Sequence, residues 1–272
     1  MADAPSSFFT RQHRADGAEW FEPTDHARGP WDPDACHGGP PTGLLVRALE
    51  RALPAMRLAR ISVDLGRPVP MAGFSIAAEV TRAGRATANS SAALLDADGK
   101  VRATATGMHV AVAPTPLFEA RIDNSGVQTP RLAESVPGEF PIRRVGHDRP
   151  GFRGAVEVRY PEGEGDSIGA TTVWMRTVRL LPDEEMSPFQ RISPLADCGN
   201  AFSRNADPSE VQFVNTDLLI ALHRDPVGEW MGSRATSAWQ PTGVGLADAL
   251  LFDDEGPVGR ALQTMLLRPV AP

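Results

Sequence analysis

Cysteine is scarce in this sequence: of 272 residues only Cys36 and Cys198 carry a thiol. Two thiols cannot build a disulfide framework, and neither stands in a Cys/His spacing that a zinc site needs. A reducing compartment, the cytoplasm, is the expected setting, and no metal is expected. No apolar run approaches the ~20 residues of a membrane-spanning helix, so no membrane partner is expected either. Clustered Lys and Arg are also missing, and the net charge is −7. That balance argues against nucleic acid as the main partner. The opening Met1-Ala2-Asp3-Ala4-Pro5 has neither a basic head nor an apolar segment, so no secretory signal is expected there. Aromatic residues make up only 6%, but the hydrophobic share of 42% is that of a globular chain, long enough for one large domain or two ordinary ones.

The order of elements comes from periodicity and punctuation. Short extended runs, Ser7-Phe8-Phe9-Thr10-Arg11 and Glu19-Trp20-Phe21-Glu22, flank an Asp16-Gly17 pair, which signals a hairpin. After Cys36-His37-Gly38-Gly39-Pro40-Pro41-Thr42-Gly43 comes a helix whose stripe is Leu44, Leu45, Ala48, Leu49, Ala52 and Leu53, stopped by Pro54. Strands are expected at 59–65, 74–82, 87–95 and 101–112, separated by Pro68 and Pro70, Ala83-Gly84 and Asp96-Ala97-Asp98-Gly99. From 113 to 150 the prolines Pro114, Pro116, Pro130, Pro137, Pro141 and Pro150 interrupt every pattern and mark a connector. The first pattern then returns: extended runs at 156–160 and 171–180, a helix, and strands near 211–223, 229–239, 243–252 and 258–267. That second helix is read as beginning at Pro194, with Ser193 as its cap and Asp197 at the end of its first turn.

Helix followed by antiparallel strands thus occurs twice. Sliding the chain by 153 residues lays Pro41 on Pro194 and Asp64 on Asp217, and a slide of 157 lays Gly99 on Gly256, Val101 on Val258 and Met108 on Met265. The domains expected are 1–115, a connector at 116–150, and 151–272. Under these slides Asp197 replaces Leu44, Thr216 replaces Val63 and Gln263 replaces Thr106. A buried polar group without a partner costs roughly 1–3 kcal/mol, so three gains in one half make sense if they satisfy one another or a shared ligand or water. The first half alone carries His37-Gly38-Gly39 before its helix. Bland readings stand beside these. A first-turn acid complements the helix dipole, a strand threonine needs no special role, and a lone histidine near a helix start suits local hydrogen bonding better than proton transfer. Both cysteines read as buried, inert thiols.

At these residues the chain resembles the acyl-CoA thioesterase II family of double hotdog enzymes. The resemblance runs over nearly the whole chain. It rests on Arg28-Gly29-Pro30-Trp31 leading to His37-Gly38-Gly39, then Pro194-Leu195-Ala196-Asp197, Asn215-Thr216-Asp217, Leu222-His223-Arg224 and Gly259-Arg260-Ala261-Leu262-Gln263, in that order. It implies an α+β fold of two tandem hotdog repeats, each with a long helix wrapped by a curved antiparallel sheet. It also implies hydrolysis of acyl-CoA by water held on Asp197, Thr216 and Gln263, with no cofactor. His37, Gly38 and Gly39 would lie against the substrate, the glycines offering N–H groups to an oxyanion from the other half. The chain departs from the family pattern in its short connector and in the stiff Pro40-Pro41 after the glycines, features that bear on the acyl tunnel.

Two rival functions keep the fold: hydration or dehydration of an enoyl thioester, and non-catalytic acyl-CoA sensing. The first usually pairs His with Asp on one segment, and Asp197 has no histidine near it in sequence. Self-association into a dimer of double hotdogs is expected.

Overall fold

The computed structural model describes residues 7–15, 17–115, 126–142 and 147–270. Asp16 of the expected hairpin, Pro116 of the connector and the opening Met1-Ala2-Asp3-Ala4-Pro5 lie outside the described residues.

Among the described residues the strands form one antiparallel sheet of 14. The N-terminal half supplies β1 (Phe9–His13), β2 (Glu19–Pro23), β3 (Arg57–Asp64), β4 (Phe74–Arg82), β5 (Thr87–Leu95) and β6 (Val101–Val110). The C-terminal half supplies β7 (Val136–Gly138), β8 (Val156–Tyr160), β9 (Thr171–Thr177), β10 (Val211–Asn215), β11 (Asp217–Leu222), β12 (Met231–Trp239), β13 (Val244–Asp253) and β14 (Gly256–Pro269). Their order is β1-β2-β4-β5-β6-β3-β11-β14-β13-β12-β9-β8-β7, with β10 also on β14. Instead of two separate sheets the halves join edge to edge, because β3 pairs with β11 in the middle. Asp64 and Asp217, which a slide of 153 equates, face each other across that seam. The connector is not wholly irregular either, since β7 lies inside it and pairs with β8.

Alternation sets the faces of the strands. On β5 the buried positions are Ala88, Ser90, Ala92 and Leu94; on β14 they are Val258, Ala261, Gln263 and Met265. Helix α1 (Gly39–Ala52) covers the inner face of β3, β4 and β5 with Leu44, Leu45 and Leu49. Pro40 and Pro41 fall in its first turn, where a missing N–H costs nothing. A charge also sits on its buried side. Arg47 donates to Glu19 at 2.7 and 2.9 Å and to Glu184 at 2.8 and 2.9 Å, and those hydrogen bonds hold the Glu19 carboxyl down at about 2.

The second helix departs from the sequence reading. It begins at Pro188 and runs to Ala196 as α2, capped by Ser187, whose Oγ accepts from Gln190 N–H at 3.1 Å. Ser193 is not the cap: its hydroxyl donates to Phe189 O at 2.6 Å inside the helix, and Pro194 has no N–H to continue the ladder. Such back-bonding and a mid-helix proline both bend helices. The helix stops at its C-cap, Asp197, and resumes as the single turn α3 (Gly199–Phe202). So Asp197 lies at a break in the helix and not in a first turn. Helix α1 crosses α2 at close range, because a Cβ on Gly39 would clash with the carbonyl oxygen of Pro194.

Candidate active site

The break in the second helix exposes a carboxylate to the neighbouring strands. Asp197, 2% exposed, has two hydrogen-bond donors on one oxygen. Gln263 Nε2 lies 3.0 Å from Oδ1, and Asn215 Nδ2 lies 2.5 Å from the same atom. Gln263 also donates to the Asp197 carbonyl at 2.9 Å, while its own Oε1 accepts from Asn200 N–H at 3.0 Å. One buried amide thus ties the end of α2 to the start of α3, satisfying backbone groups that a helix break leaves open.

Oδ2 of Asp197 points the other way, toward the segment before α1. His37 Nδ1 lies 3.1 Å from it, and a Cβ on Gly38 would come within 3.0 Å of it. The imidazole stacks on Phe152 at 4.0 Å and 11°, which fixes its plane. The same Nδ1 accepts from Gly39 N–H at 3.1 Å. A ring nitrogen has one in-plane position, so it serves Gly39 as an acceptor or, protonated, donates to Asp197.

Thr216 is placed differently from Asp197 and Gln263. Its hydroxyl donates to Thr264 O at 3.3 Å, as its own N–H does at 2.9 Å. It lines the same cavity but does not hydrogen-bond to Asp197; the neighbouring Asn215 does. The cause is a β-bulge. Asn215 pairs with Met265 and Leu219 with Leu262, which leaves one extra residue on this strand. A single insertion switches which side chains face inward: Phe213 is buried before it, and Leu218, Ile220 and Leu222 after it.

The cavity holds about 980 Å³ and is walled by His37, Gly38, Asp197, Asn200, Asn215 and Thr216, together with the apolar Trp31, Phe152, Phe213 and Leu266. Gln263 and Gly39 stand behind this wall. Arg28, Arg67, Arg149, Arg153 and Arg268 lie around it. Neither cysteine is an activated thiol, since burial pushes both up and Asp197 raises Cys198 further. Among the described residues no three His, Cys, Asp or Glu side chains are grouped so as to hold a metal ion. Among the described residues no helix is long and apolar enough to cross a membrane.

The sequence reading missed Asn215 and the contact between His37 and Asp197. The Asn-Thr-Asp run contained the first, one place from the residue chosen; nothing in the chain order pointed to the second.

Among solved structures, a hot dog fold protein from Alicyclobacillus acidocaldarius superposes with a TM-score of 0.69 at 16% identity, covering 96% of both chains. The tesB protein of Mycobacterium avium subs paratuberculosis gives 0.66 at 13% identity, over 95% of this chain and 96% of that one. The acyl-CoA thioesterase II TesB2 of Mycobacterium marinum gives 0.60 at 16%, over 95% and 94%. At such identities the likeness is one of fold, and the fold is the hotdog. No curated protein matches the sequence. The family model for the acyl-CoA thioesterase N-terminal domain matches residues 27–110, and that for the C-terminal domain matches 130–267. With half of its length inside the second match and most of the rest inside the first, the chain belongs to the acyl-CoA thioesterase family.

Proposed function

We propose that this chain hydrolyses the thioester of fatty acyl-CoA at Asp197, in a double hotdog made of repeats 1–115 and 151–272 joined by a connector at 116–150. The observation that carries the reading is a buried carboxylate at the wall of a large cavity, with Oδ1 held by amide donors and Oδ2 turned toward His37 Nδ1. Oδ2 takes a proton from water as the water oxygen attacks the thioester carbonyl carbon. The C–O bond forms, and the oxyanion faces the N–H of Gly38, which has no side chain to obstruct it; the N–H of Gly39 is engaged with His37. Collapse breaks the C–S bond, and the proton on Asp197 passes to the departing thiolate or to solvent. A thiol of pKa about 8.5 leaves without a strong acid. Gln263 keeps Asp197 in place, and Thr216, named by the family pattern, forms part of the wall beside them. No metal or organic cofactor enters the scheme, and the assembly is a dimer of double hotdogs acting in the cytoplasm.

General-base assistance is worth roughly 10²–10⁴-fold, so Asp197→Asn is expected to lower release of free CoA from medium-chain acyl-CoA by that order. Unchanged turnover by a folded Asp197→Asn protein would overturn the assignment.

A second reading has one observation in its favour. His37 Nδ1 sits 3.1 Å from Asp197 Oδ2, so the His/Asp pair that enoyl thioester hydration uses, not visible along the chain, is assembled between the halves. Loss of enoyl absorbance without thiol release would select hydration. Binding of acyl-CoA with neither change would select sensing.

A further inference from the structure

We infer that Asn215, and not Thr216, is the strand residue that positions Asp197 and the attacking water; this rests on the reading of Asp197 as the base. In the N-terminal half Leu58 pairs with His109 and Arg60 with Met108, leaving Ala59 as an extra residue. In the C-terminal half Asn215 pairs with Met265 and Leu219 with Leu262, leaving one extra residue beyond Asn215. The bulges therefore correspond: Thr216 answers to Ala59, and Asn215 answers to Leu58. Gly107 stands two places before His109, as Gln263 stands two places before Met265.

What fills these positions differs in kind. In the first half Leu58 is 3% exposed and occupies the space over Gly107, whose Cβ would come within 2.9 Å of Leu58 Cδ1. In the second half the leucine is an asparagine and the glycine a glutamine, and both amides converge on Asp197 Oδ1. An apolar pair has become a pair of donors aimed at one carboxylate oxygen, so the other oxygen is the proton acceptor. Asn215 donates from Nδ2, and its carbonyl oxygen, which meets no donor among the described residues, can accept from a water in the cavity. Thr216, the bulge residue, has its hydroxyl on Thr264 O.

The test compares four variants by kcat, KM and the pH profile of CoA release. Asn215→Leu, which installs the residue of the first half, is expected to lower kcat about 10²-fold with KM changed only a few-fold. Thr216→Val is expected to lose at least about tenfold less than that. Asn215→Asp keeps the shape and sets a second carboxylate against Oδ1, and a like charge disfavours ionisation of Asp197. Its acid limb is expected to move up, which reports that the side chain at this position faces the ionising carboxylate. Equal losses for Thr216→Val and Asn215→Leu, or an unmoved acid limb in folded Asn215→Asp, would overturn the proposal. Asp197→Asn separates the two levels. If it keeps turnover, the hydrolytic reading has failed; if it is dead while Asn215 variants behave as wild type, only the role of Asn215 has.

Discussion

The two halves of the molecule differ most in their helices. Helix α1 runs unbroken over 14 residues, and its inner face is Leu44, Leu45 and Leu49. Its counterpart is cut into α2 and α3, and the cut falls at Asp197. A continuous helix satisfies its own backbone and offers the sheet only side chains. A broken one leaves a carbonyl and an N–H to be met from outside, and Gln263 meets both. The polar cluster is thus more than three substitutions on a common frame. It depends on a local failure of the helix, which comes just after Pro194 and the back-bonded Ser193.

That comparison can be broken by giving the second half the residues of the first. The largest effect is expected for Gln263→Gly, which installs the counterpart residue Gly107. It leaves Asp197 O and Asn200 N–H unpaired in a buried place, at about 1–3 kcal/mol for each. Urea unfolding should show a loss of roughly 2–6 kcal/mol on the same basis, together with a fall in thiol release. A variant that loses activity at full stability would show that Gln263 serves the chemistry alone. Gly38→Ala is the next step down. Its backbone, with φ −63°, accepts alanine, but the new methyl would lie 3.0 Å from Asp197 Oδ2 and 2.9 Å from Leu65 Cδ1. Side-chain ends can shift to relieve this, so stability should change by less than about 1 kcal/mol. Turnover should fall about tenfold, because small displacements at a reacting group are costly. A thermal melt beside the kinetics separates the two.

Much of this architecture could be read along the chain. Strands 74–82, 87–95 and 156–160 fall where alternation and turn residues put them, because a two-residue period with Gly or Pro at the ends is a strong local signal. Three things could not be read. Ser187-Pro188 and Ser193-Pro194 carry the same start signal, and only packing decides that the helix begins at the first. The bulge at Thr216 has no glycine or other mark in Phe213-Val214-Asn215-Thr216-Asp217, so a gapless slide along that strand picks the wrong face. The pairing of β3 with β11, and with it the single sheet, is a choice between strand edges that no local pattern encodes. His37 reaches Asp197 for the same reason: distant segments meet through topology.

The smallest expected effect belongs to the first half, where the space homologous to the polar cluster encloses a different pair. Ser90 Oγ and His109 Nε2 lie 2.7 Å apart on β5 and β6, both side chains are buried, and His109 Nδ1 has no partner among the described residues. Burial lowers the pKa of this histidine. The sign follows from linkage. The unfolded chain takes up the proton near pH 6.5, the folded one only at lower pH, so acidification below about 6.5 favours unfolding until the folded pKa is reached. Glu19, held at about 2 by Arg47, loses its contribution only as pH falls from about 4.5 toward that value, a separate window. Glu50, whose carboxyl is raised by burial, acts with the opposite sign and is common to wild type and variant. His109→Gln keeps a polar atom near Ser90 and does not titrate. Between pH 7.5 and 5.5 the melting temperature of the wild type should therefore drop further than that of His109→Gln, by an amount equivalent to at most about 1.4 kcal/mol per pH unit below 6.5. Parallel curves would mean that His109 is protonated within the fold. The closed, neutral space in the first half would then have to hold a charge, and its contrast with the carboxylate-bearing space of the second would fail.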